Sequence, residues 1–325
     1  ANMSELDWMK GDCLFMLKHL DKFSKDEYLG APHVPLMFSP TKVRIHKEPL
    51  GAVLIIGTYN YPFLLLLSPM IGAMAAGCTA VVKPSEGSPA SAMVIQEMLQ
   101  DRLDPAAFAV VNGAVPETTA LLEEKWDKIM YTGNQAVAKI VSKKAAETLT
   151  PVCLELGGRN PAFITKGSDL YLAARRLLWS KTLNAGQVCL SLNYVIIDKA
   201  VVQPFIEQLN KAFKEFFPDG SKNSELAHIV NERHFLRMKK MIDDSKGRIV
   251  MGGQMDQSRL FIEPTAVLVD SPDDSMVEQE SFGPLFAILP ANNLSDAINM
   301  ANRVDKTPLA MYTFGSKAEN NRGLF

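Results

Sequence analysis

The sequence has few thiols, and none of them are paired. Its four cysteines, Cys13, Cys78, Cys153 and Cys189, lie far apart with no CxxC motif, and its five histidines do not fall at zinc-finger spacing. Neither a metal site nor a disulfide framework is expected. A strong charge of either sign is also lacking: 34 basic residues stand against 36 acidic ones, well mixed, for a net charge of -2. That excludes a long-range positive field for nucleic acid and a basic stripe for an anionic membrane, so a small-molecule partner is expected. No internal repeat or low-complexity segment is present. No secretory leader opens the chain. Sparse thiols without a leader imply the cytoplasm or another reducing compartment, where a reactive thiolate can persist.

One absence misleads. From Gly51 to Val82 there is no charged residue, the pattern a hydropathy window reads as a membrane span. Gly57-Thr58-Tyr59-Asn60 and Ser68-Pro69 interrupt the stretch and divide it into strand, turn, buried helix and second strand. With 325 residues, 47% of them hydrophobic, the chain can bury a large core and exceeds the usual single-domain range. Two domains are expected.

Ser4 to Phe23 carries Leu6, Met9, Cys13, Leu17 and Leu20 at three- and four-residue intervals, which predicts an amphipathic helix. Within a segment at about residues 36–48, Val43 and Ile45 alternate with Lys42, Arg44 and His46, as on a half-exposed or edge strand. Five short apolar runs follow: Ala52 to Ile56, Thr79 to Val82, Phe108 to Val111, Lys128 to Tyr131 and Val152 to Leu156. Helical patterns separate them at Pro62 to Ala76, with proline in the first turn, Pro89 to Leu99, Pro116 to Glu124 and Val137 to Leu149. This alternation predicts an open, mostly parallel α/β sheet covered on both faces. The second half repeats the alternation less regularly, with helices at Leu170 to Thr182, Val202 to Phe216, His234 to Asp243 and Leu294 to Arg303. We place the boundary between domains 1–157 and 158–325 at Gly157-Gly158, paired glycines able to serve as a hinge.

Five segments can carry chemistry. Cys189 sits in Asn184-Ala185-Gly186-Gln187-Val188-Cys189-Leu190, between a helical segment and the strand at Tyr194, where a loop thiol is well placed as a nucleophile or is simply inert. Glu155, a lone carboxylate in an apolar strand, is expected to be desolvated and so raised toward a general base's range, or else to be a salt-bridged strand-end acid. Asn60, before the helix at Pro62, either caps that helix or donates to a developing oxyanion. Lys83-Pro84-Ser85-Glu86 follows the second strand, where a lysine and an acid three apart suit ribose hydroxyls. No GxGxxG follows any strand, but the turn Tyr131-Thr132-Gly133-Asn134 into a helix can offer N–H groups to a pyrophosphate.

Taken in order, Gly57-Thr58-Tyr59-Asn60-Tyr61-Pro62, Lys83-Pro84-Ser85-Glu86, Tyr131-Thr132-Gly133, Leu154-Glu155-Leu156-Gly157-Gly158, Gly186-Gln187-Val188-Cys189 and Glu280-Ser281-Phe282-Gly283-Pro284 resemble the aldehyde dehydrogenase superfamily. The resemblance is nearest to its class 3 or fatty-aldehyde branch, with a fungal character, and runs from about Pro49 to the end of the chain. It implies a Rossmann-like cofactor domain without the glycine fingerprint, a second α/β catalytic domain and a partial bridging strand for oligomerisation. It also implies NAD-dependent oxidation of an aldehyde to the acid through a cysteine thioester, with NADP as a possible cofactor. By that resemblance Cys189 is the nucleophile, Glu155 the base and Asn60 one half of an oxyanion hole completed by the Cys189 N–H. Lys83 and Glu86 would hold the adenine ribose, with Ser85 between them also on the cofactor, Gly133 and Asn134 would face the pyrophosphate, and Glu280 and Phe282 the nicotinamide end. Tyr61, Leu64, Leu65 and Ser68, at helical spacing, would line an apolar channel suited to aliphatic or aromatic aldehydes.

Departures from the family pattern are Tyr59 where many relatives have Trp, Asn134 where they have Ser, and Ala138 in place of a frequent Gly. Relatives begin before Ala1 and continue past Phe325. A truncated member is therefore expected, with the strand at Val43 to Ile45 lacking its usual partners. A homodimer is expected of the full-length chain, and any membrane tail would lie beyond Phe325. Two other readings stand at this point. One is a noncatalytic family member that binds nucleotide or a partner chain, and the other is a cysteine hydrolase, for which the thiol and five histidines show no recognisable pairing.

Overall fold

The computed structural model describes residues 5–30, 33–38 and 40–321, with residues 320 and 321 described by their backbone only. The chain forms two compact units, Ala1–Glu155 and Leu156–Phe325.

The first unit runs α1 (Asp7–Phe23), β1 (Glu27–Leu29), β2 (Val43–Ile45), β3 (Ala52–Ile56), α2 (Leu64–Ala75), β4 (Thr79–Lys83), α3 (Pro89–Arg102), β5 (Phe108–Val110), α4 (Val115–Glu123), β6 (Lys128–Gly133), α5 (Gln135–Glu147) and β7 (Val152–Leu156). Strands β3 to β7 form one sheet in the order β5-β4-β3-β6-β7, with β3, β4, β5 and β6 parallel. Chain order reverses between β3 and β6. In open α/β sheets that is the point where the carboxyl ends of the strands part and leave a crevice for a ligand. The charge-free stretch is not a span: it resolves into β3, the twelve-residue α2 and β4. Among the described residues no helix is long and apolar enough to cross a membrane. Leu66, Leu67 and Met70 of α2 join Val53, Ile55, Val82, Ile95 and Leu99 in the core of this unit.

Several expectations need correction here. The helix expected from Pro62 starts at Leu64, leaving Pro62 in the preceding turn, and Pro69 lies inside it instead. The helix expected from Val137 starts at Gln135, because Asn134 caps it. The expected start of α1 at Ser4 lies outside the described residues, as does Ser39 of the bridging segment. The apolar stripe of α1 is only partly used: Met9 packs on the core, while Leu6, Leu17 and Leu20 stay exposed. Strand β2 pairs antiparallel with β1, and Asp26 beside β1 binds Arg44 of β2 and His46 just after it at 2.8 and 2.6 Å.

The second unit runs β8 (Asn160–Ile164), α6 (Leu170–Thr182), β9 (Leu192–Asp198), α7 (Val202–Phe216), α8 (Glu232–Asp243), β10 (Arg248–Met251), β11 (Met255–Asp256), β12 (Phe261–Ile262), β13 (Thr265–Leu268), α9 (Ser275–Glu278), β14 (Leu285–Ala291), α10 (Leu294–Val304), β15 (Tyr312–Phe314) and α11 (Lys317–Asn321). Its six-stranded sheet has the order β10-β13-β14-β9-β8-β15, parallel except for β10. Period-two alternation sends Phe163, Tyr194, Ile196 and Ala287 into one core, and Ala162, Val195, Ile197 and Phe286 into another on the opposite face. The amphipathic stripes of α6 and α7 cover the second face through Leu177, Leu178, Phe205 and Leu209.

Candidate active site

In the first unit, the loop after β3 holds Asn60. Its Oδ1 accepts a 2.7 Å hydrogen bond from Thr58 Oγ1, which turns the amide so that Nδ2 is the donor face. The capping duty that sequence reasoning offered Asn60 is performed from elsewhere. Glu5 Oε2 accepts from the N–H groups of Phe63 and Leu64 at 2.9 and 3.1 Å, placing a carboxylate at the positive end of α2. Tyr61 and Leu65 are half-buried, whereas Ser68 donates to Asp12 of α1, so this member of the expected channel faces a helix.

Lys83 ends β4 and is buried. Its ammonium donates to the carbonyls of Pro84 and Gly113 at 2.7 and 2.9 Å and reaches Glu86 at 3.5 Å. Burial lowers its pKa, and the neighbouring carboxylates Glu86 and Glu117 oppose the shift. Of the expected ribose pair, Glu86 is therefore the exposed partner. Ser85 Oγ accepts from Gly87 N, and a Cβ on Gly87 would lie 3.0 Å from Tyr59 Cβ, so the loops after β3 and β4 pack together. Gly133 makes room for the Tyr131 ring, and Asn134 Oδ1 accepts from Val137 N at 2.9 Å at the start of α5. Glu155 departs from expectation. Strand β7 alternates half-buried Val152, Leu154 and Leu156 with exposed Cys153 and Glu155, so no burial desolvates this carboxylate.

In the second unit, Cys189 is a half-buried cysteine, outside any disulfide, on the loop leading into the amino end of β9. Three successive residues before it are left-handed, Asn184, Ala185 and Gly186 at φ 49°, 50° and 68°. Such backbone costs roughly 1 kcal/mol or more for a non-glycine residue and persists only where its surroundings enforce it. Here they do. Buried Gln187 donates to the carbonyls of Asn184 and His228 and accepts from Val230 N, all at 3.0–3.1 Å. A Cβ on Gly186 would sit 2.2 Å from the Gly283 carbonyl, so only glycine fits against the segment 280–284.

That segment carries Glu280 and Phe282, the latter at φ 42°. Two cations hold it. Arg237 donates to the carbonyls of Glu280 and Ser281 at 2.9 and 2.6 Å, and fully buried Lys181 donates to the Gly283 carbonyl and Ser281 Oγ at 3.0 and 3.3 Å. Asn193 Oδ1 accepts from Ser281 N at 2.6 Å. The glycine pair expected as a hinge has a packing reason. A Cβ on Gly157 would meet the Glu280 carboxylate at 2.6 Å, and one on Gly158 the Pro308 backbone at 3.1 Å. Sequence reasoning missed Lys181, although a signal existed: it falls on the stripe of α6 formed by Ala174, Leu177 and Leu178, a position that demands an apolar side chain or a fully bonded amine. Arg237 and Asn193 gave no such signal.

Burial raises the Glu280 carboxyl to about 7, against the opposing Gly158 N–H, Lys181 and Arg237. Burial likewise lowers Lys181 to about 7. A carboxyl raised by folding contributes stability that is full below its unfolded pKa and is lost as pH rises through the folded one; here the shift is worth about 3 kcal/mol. Lys181 acts in the opposite sense only above its folded value, where stability recovers with pH. Glu280→Gln is accordingly expected to raise the melting temperature relative to the wild type more at about pH 7.5 than at about pH 5. Equal differences at the two pH values, in parallel thermal scans, would contradict a desolvated Glu280.

The sequence model of the aldehyde dehydrogenase family matches residues 13–320. The beta-apo-4'-carotenal oxygenase of Neurospora crassa is 60% identical over 323 residues, which is 99% of this chain and 60% of that protein. The dimeric NADP-preferring aldehyde dehydrogenase of Rattus norvegicus is 43% identical over 273 residues, 84% of this chain and 60% of the relative. This chain thus spans about 60% of the length of these curated relatives. Among solved structures, the substrate-bound Staphylococcus aureus AldH superposes with a TM-score of 0.95 at 33% identity, covering 99% of this chain and 70% of that one. Motif order, fold and family match agree: the chain belongs to the aldehyde dehydrogenase family, with relatives in its class 3 branch.

Proposed function

We propose that the chain carries the machinery for NAD(P)-dependent oxidation of an aldehyde to its carboxylic acid. The observation that carries this reading is the loop before β9, where enforced left-handed backbone presents a half-buried thiol, Cys189, in a chain of this family. The Cys189 thiolate adds to the aldehyde carbon and forms a thiohemiacetal. By the same reading, Asn60 Nδ2 and the Cys189 N–H are the hydrogen-bond donors assigned to its oxyanion. The nicotinamide, when bound, supplies the hydride acceptor. Glu155 then removes a proton from the water that hydrolyses the thioester, and its exposed position keeps it in contact with solvent.

Three features support assigning the cofactor to the first unit. The strand order reverses between β3 and β6, the capped amino end of α5 offers N–H groups there, and Glu86 stands exposed after β4. Lys83 and Glu86 are assigned to the adenine ribose, Ser85 to the cofactor beside them, Gly133 and Asn134 to the pyrophosphate, and Glu280 and Phe282 to the nicotinamide end. The first unit is accordingly the cofactor domain and the second the catalytic domain. Glu86 repels a 2'-phosphate, which favours NAD; the relative named NADP-preferring supports acceptance of both. Its name also supports a homodimer. Tyr61 and Leu65 are assigned to the aldehyde. The name of the Neurospora relative points to a long, apolar, conjugated aldehyde, consistent with these side chains. A reduced Cys189 suits the cytoplasm or another reducing compartment.

The test is direct. Purified protein is mixed with NAD or NADP and short polar, long aliphatic, aromatic and apocarotenoid aldehydes, and reduced cofactor is followed by absorbance. Reduction with the long apolar aldehydes is expected, with kcat/KM higher for NAD. No reduction with any aldehyde would overturn the reading, and preference for short polar aldehydes would overturn the substrate class.

A further inference from the structure

The segment after Cys189 is held with unusual completeness by two side chains to which no role has been given. Asn160, the first residue of β8, is fully buried, and its Nδ2 donates to both the Cys189 and the Ser191 carbonyls at 2.8 and 2.9 Å. Its Oδ1 accepts from Ala310 N at 2.9 Å, which fixes the amide's orientation. Tyr312, the first residue of β15, donates from its hydroxyl to the intervening Leu190 carbonyl at 2.5 Å. One position earlier, the Val188 carbonyl accepts from Ser191 N at 2.9 Å. Four successive carbonyls, from Val188 to Ser191, are thus tied.

Each tie sets a plane. A trans peptide is rigid and its C=O and N–H point in opposite directions, so a bonded carbonyl fixes the N–H of the next residue. The Val188 carbonyl aims the Cys189 N–H, and the ties at Cys189, Leu190 and Ser191 prevent the following planes from rotating and carrying that N–H with them. Strands β8, β9 and β15 are hydrogen-bonded neighbours, so Asn160 and Tyr312 reach the loop from the amino edge of a rigid sheet. Burial, followed by the nearby Cys189, raises the Tyr312 phenol, so it stays a donor throughout the neutral range.

We propose that Asn160 and Tyr312 are positioning residues that preset the Cys189 N–H and thiol for attack, by locking the peptide planes from Val188 to Ser191. This rests on the reading of Cys189 as the nucleophile. Neither side chain is assigned contact with the reacting atoms. They act through the backbone, so their loss should lower kcat and leave cofactor binding alone.

Tyr312→Phe keeps the half-buried ring and removes one hydrogen bond. It is expected to lower kcat for aldehyde oxidation by about tenfold, with the KM for NAD and the melting temperature essentially unchanged. Hydrogen exchange of the peptide spanning 188–192 should quicken in this variant. Asn160→Asp, which turns a carboxylate oxygen toward two carbonyls, should have the same two effects more strongly. An active wild type with unaltered kcat in Tyr312→Phe would overturn the proposal, and so would unaltered exchange at 188–192. If the wild type shows no turnover, that failure belongs to the aldehyde-oxidation reading. Exchange then decides alone: local quickening in Tyr312→Phe supports the lock, and no change removes it.

Discussion

Cys189→Ala is expected to lose aldehyde-dependent cofactor reduction by on the order of 1,000-fold or more, the scale seen when a covalent nucleophile is removed. The residue does not sit in the core, so folding should be little affected: Cys189 is half-buried, and its loop is held by Gln187, Gly186 and backbone bonds that alanine leaves in place. Glu155→Gln separates the two halves of the reaction. If Glu155 activates the hydrolytic water, this variant should release a single-turnover burst of reduced cofactor and then stall with an acyl group on Cys189, visible as added mass. Full steady-state turnover in Glu155→Gln would transfer the base to another group. Residual turnover in Cys189→Ala near the wild-type rate would remove the thioester route.

Helices α6 and α7 end where the sequence pattern placed them, at Leu170–Thr182 and Val202–Phe216, because Asp169 caps the first and both carry an unbroken apolar stripe. The two-residue strands β11 and β12 and the three-residue β1 had no visible signal, since periodicity needs several residues to declare itself. The choice of carboxylate is more instructive. Flanking leucines made Glu155 look desolvated, but on an edge strand with period-two alternation the leucines and the carboxylate occupy opposite faces. Among the candidate site residues, the carboxylate that burial raises is Glu280. Its surroundings come from residues far away in sequence: Gly157 lies against the carboxylate, and the charges of Lys181 and Arg237 oppose the effect of burial. The left-handed run at Asn184–Gly186 was legible only at its glycine. The candidate site residues were legible as motifs. The bonds that orient them were not, since each joins segments distant along the chain.

Asn60→Ala is expected to lower kcat by about 100- to 1,000-fold, the loss typical of one oxyanion donor, with little change in the KM for cofactor. The structure sharpens this expectation by separating it from helix stability. Glu5, not Asn60, takes the N–H groups of Phe63 and Leu64, so removal of the Asn60 amide leaves α2 capped and its melting behaviour unaltered. A loss of stability by about 1 kcal/mol or more in Asn60→Ala would restore the capping explanation. Orientation can be tested beside presence. Thr58 Oγ1 donates to Asn60 Oδ1 at 2.7 Å, and Thr58→Val removes that orienting bond without deleting the amide donor. A fall of about tenfold, smaller than that of Asn60→Ala, is therefore expected for Thr58→Val, since only the fraction of time spent in the productive orientation changes. Asn60→Asp, which keeps the shape and the Thr58 bond while replacing the Nδ2 donor with an oxygen, should fall as far as alanine or further. If Asn60→Asp retained wild-type kcat, donation from this side chain to a developing oxyanion would be excluded.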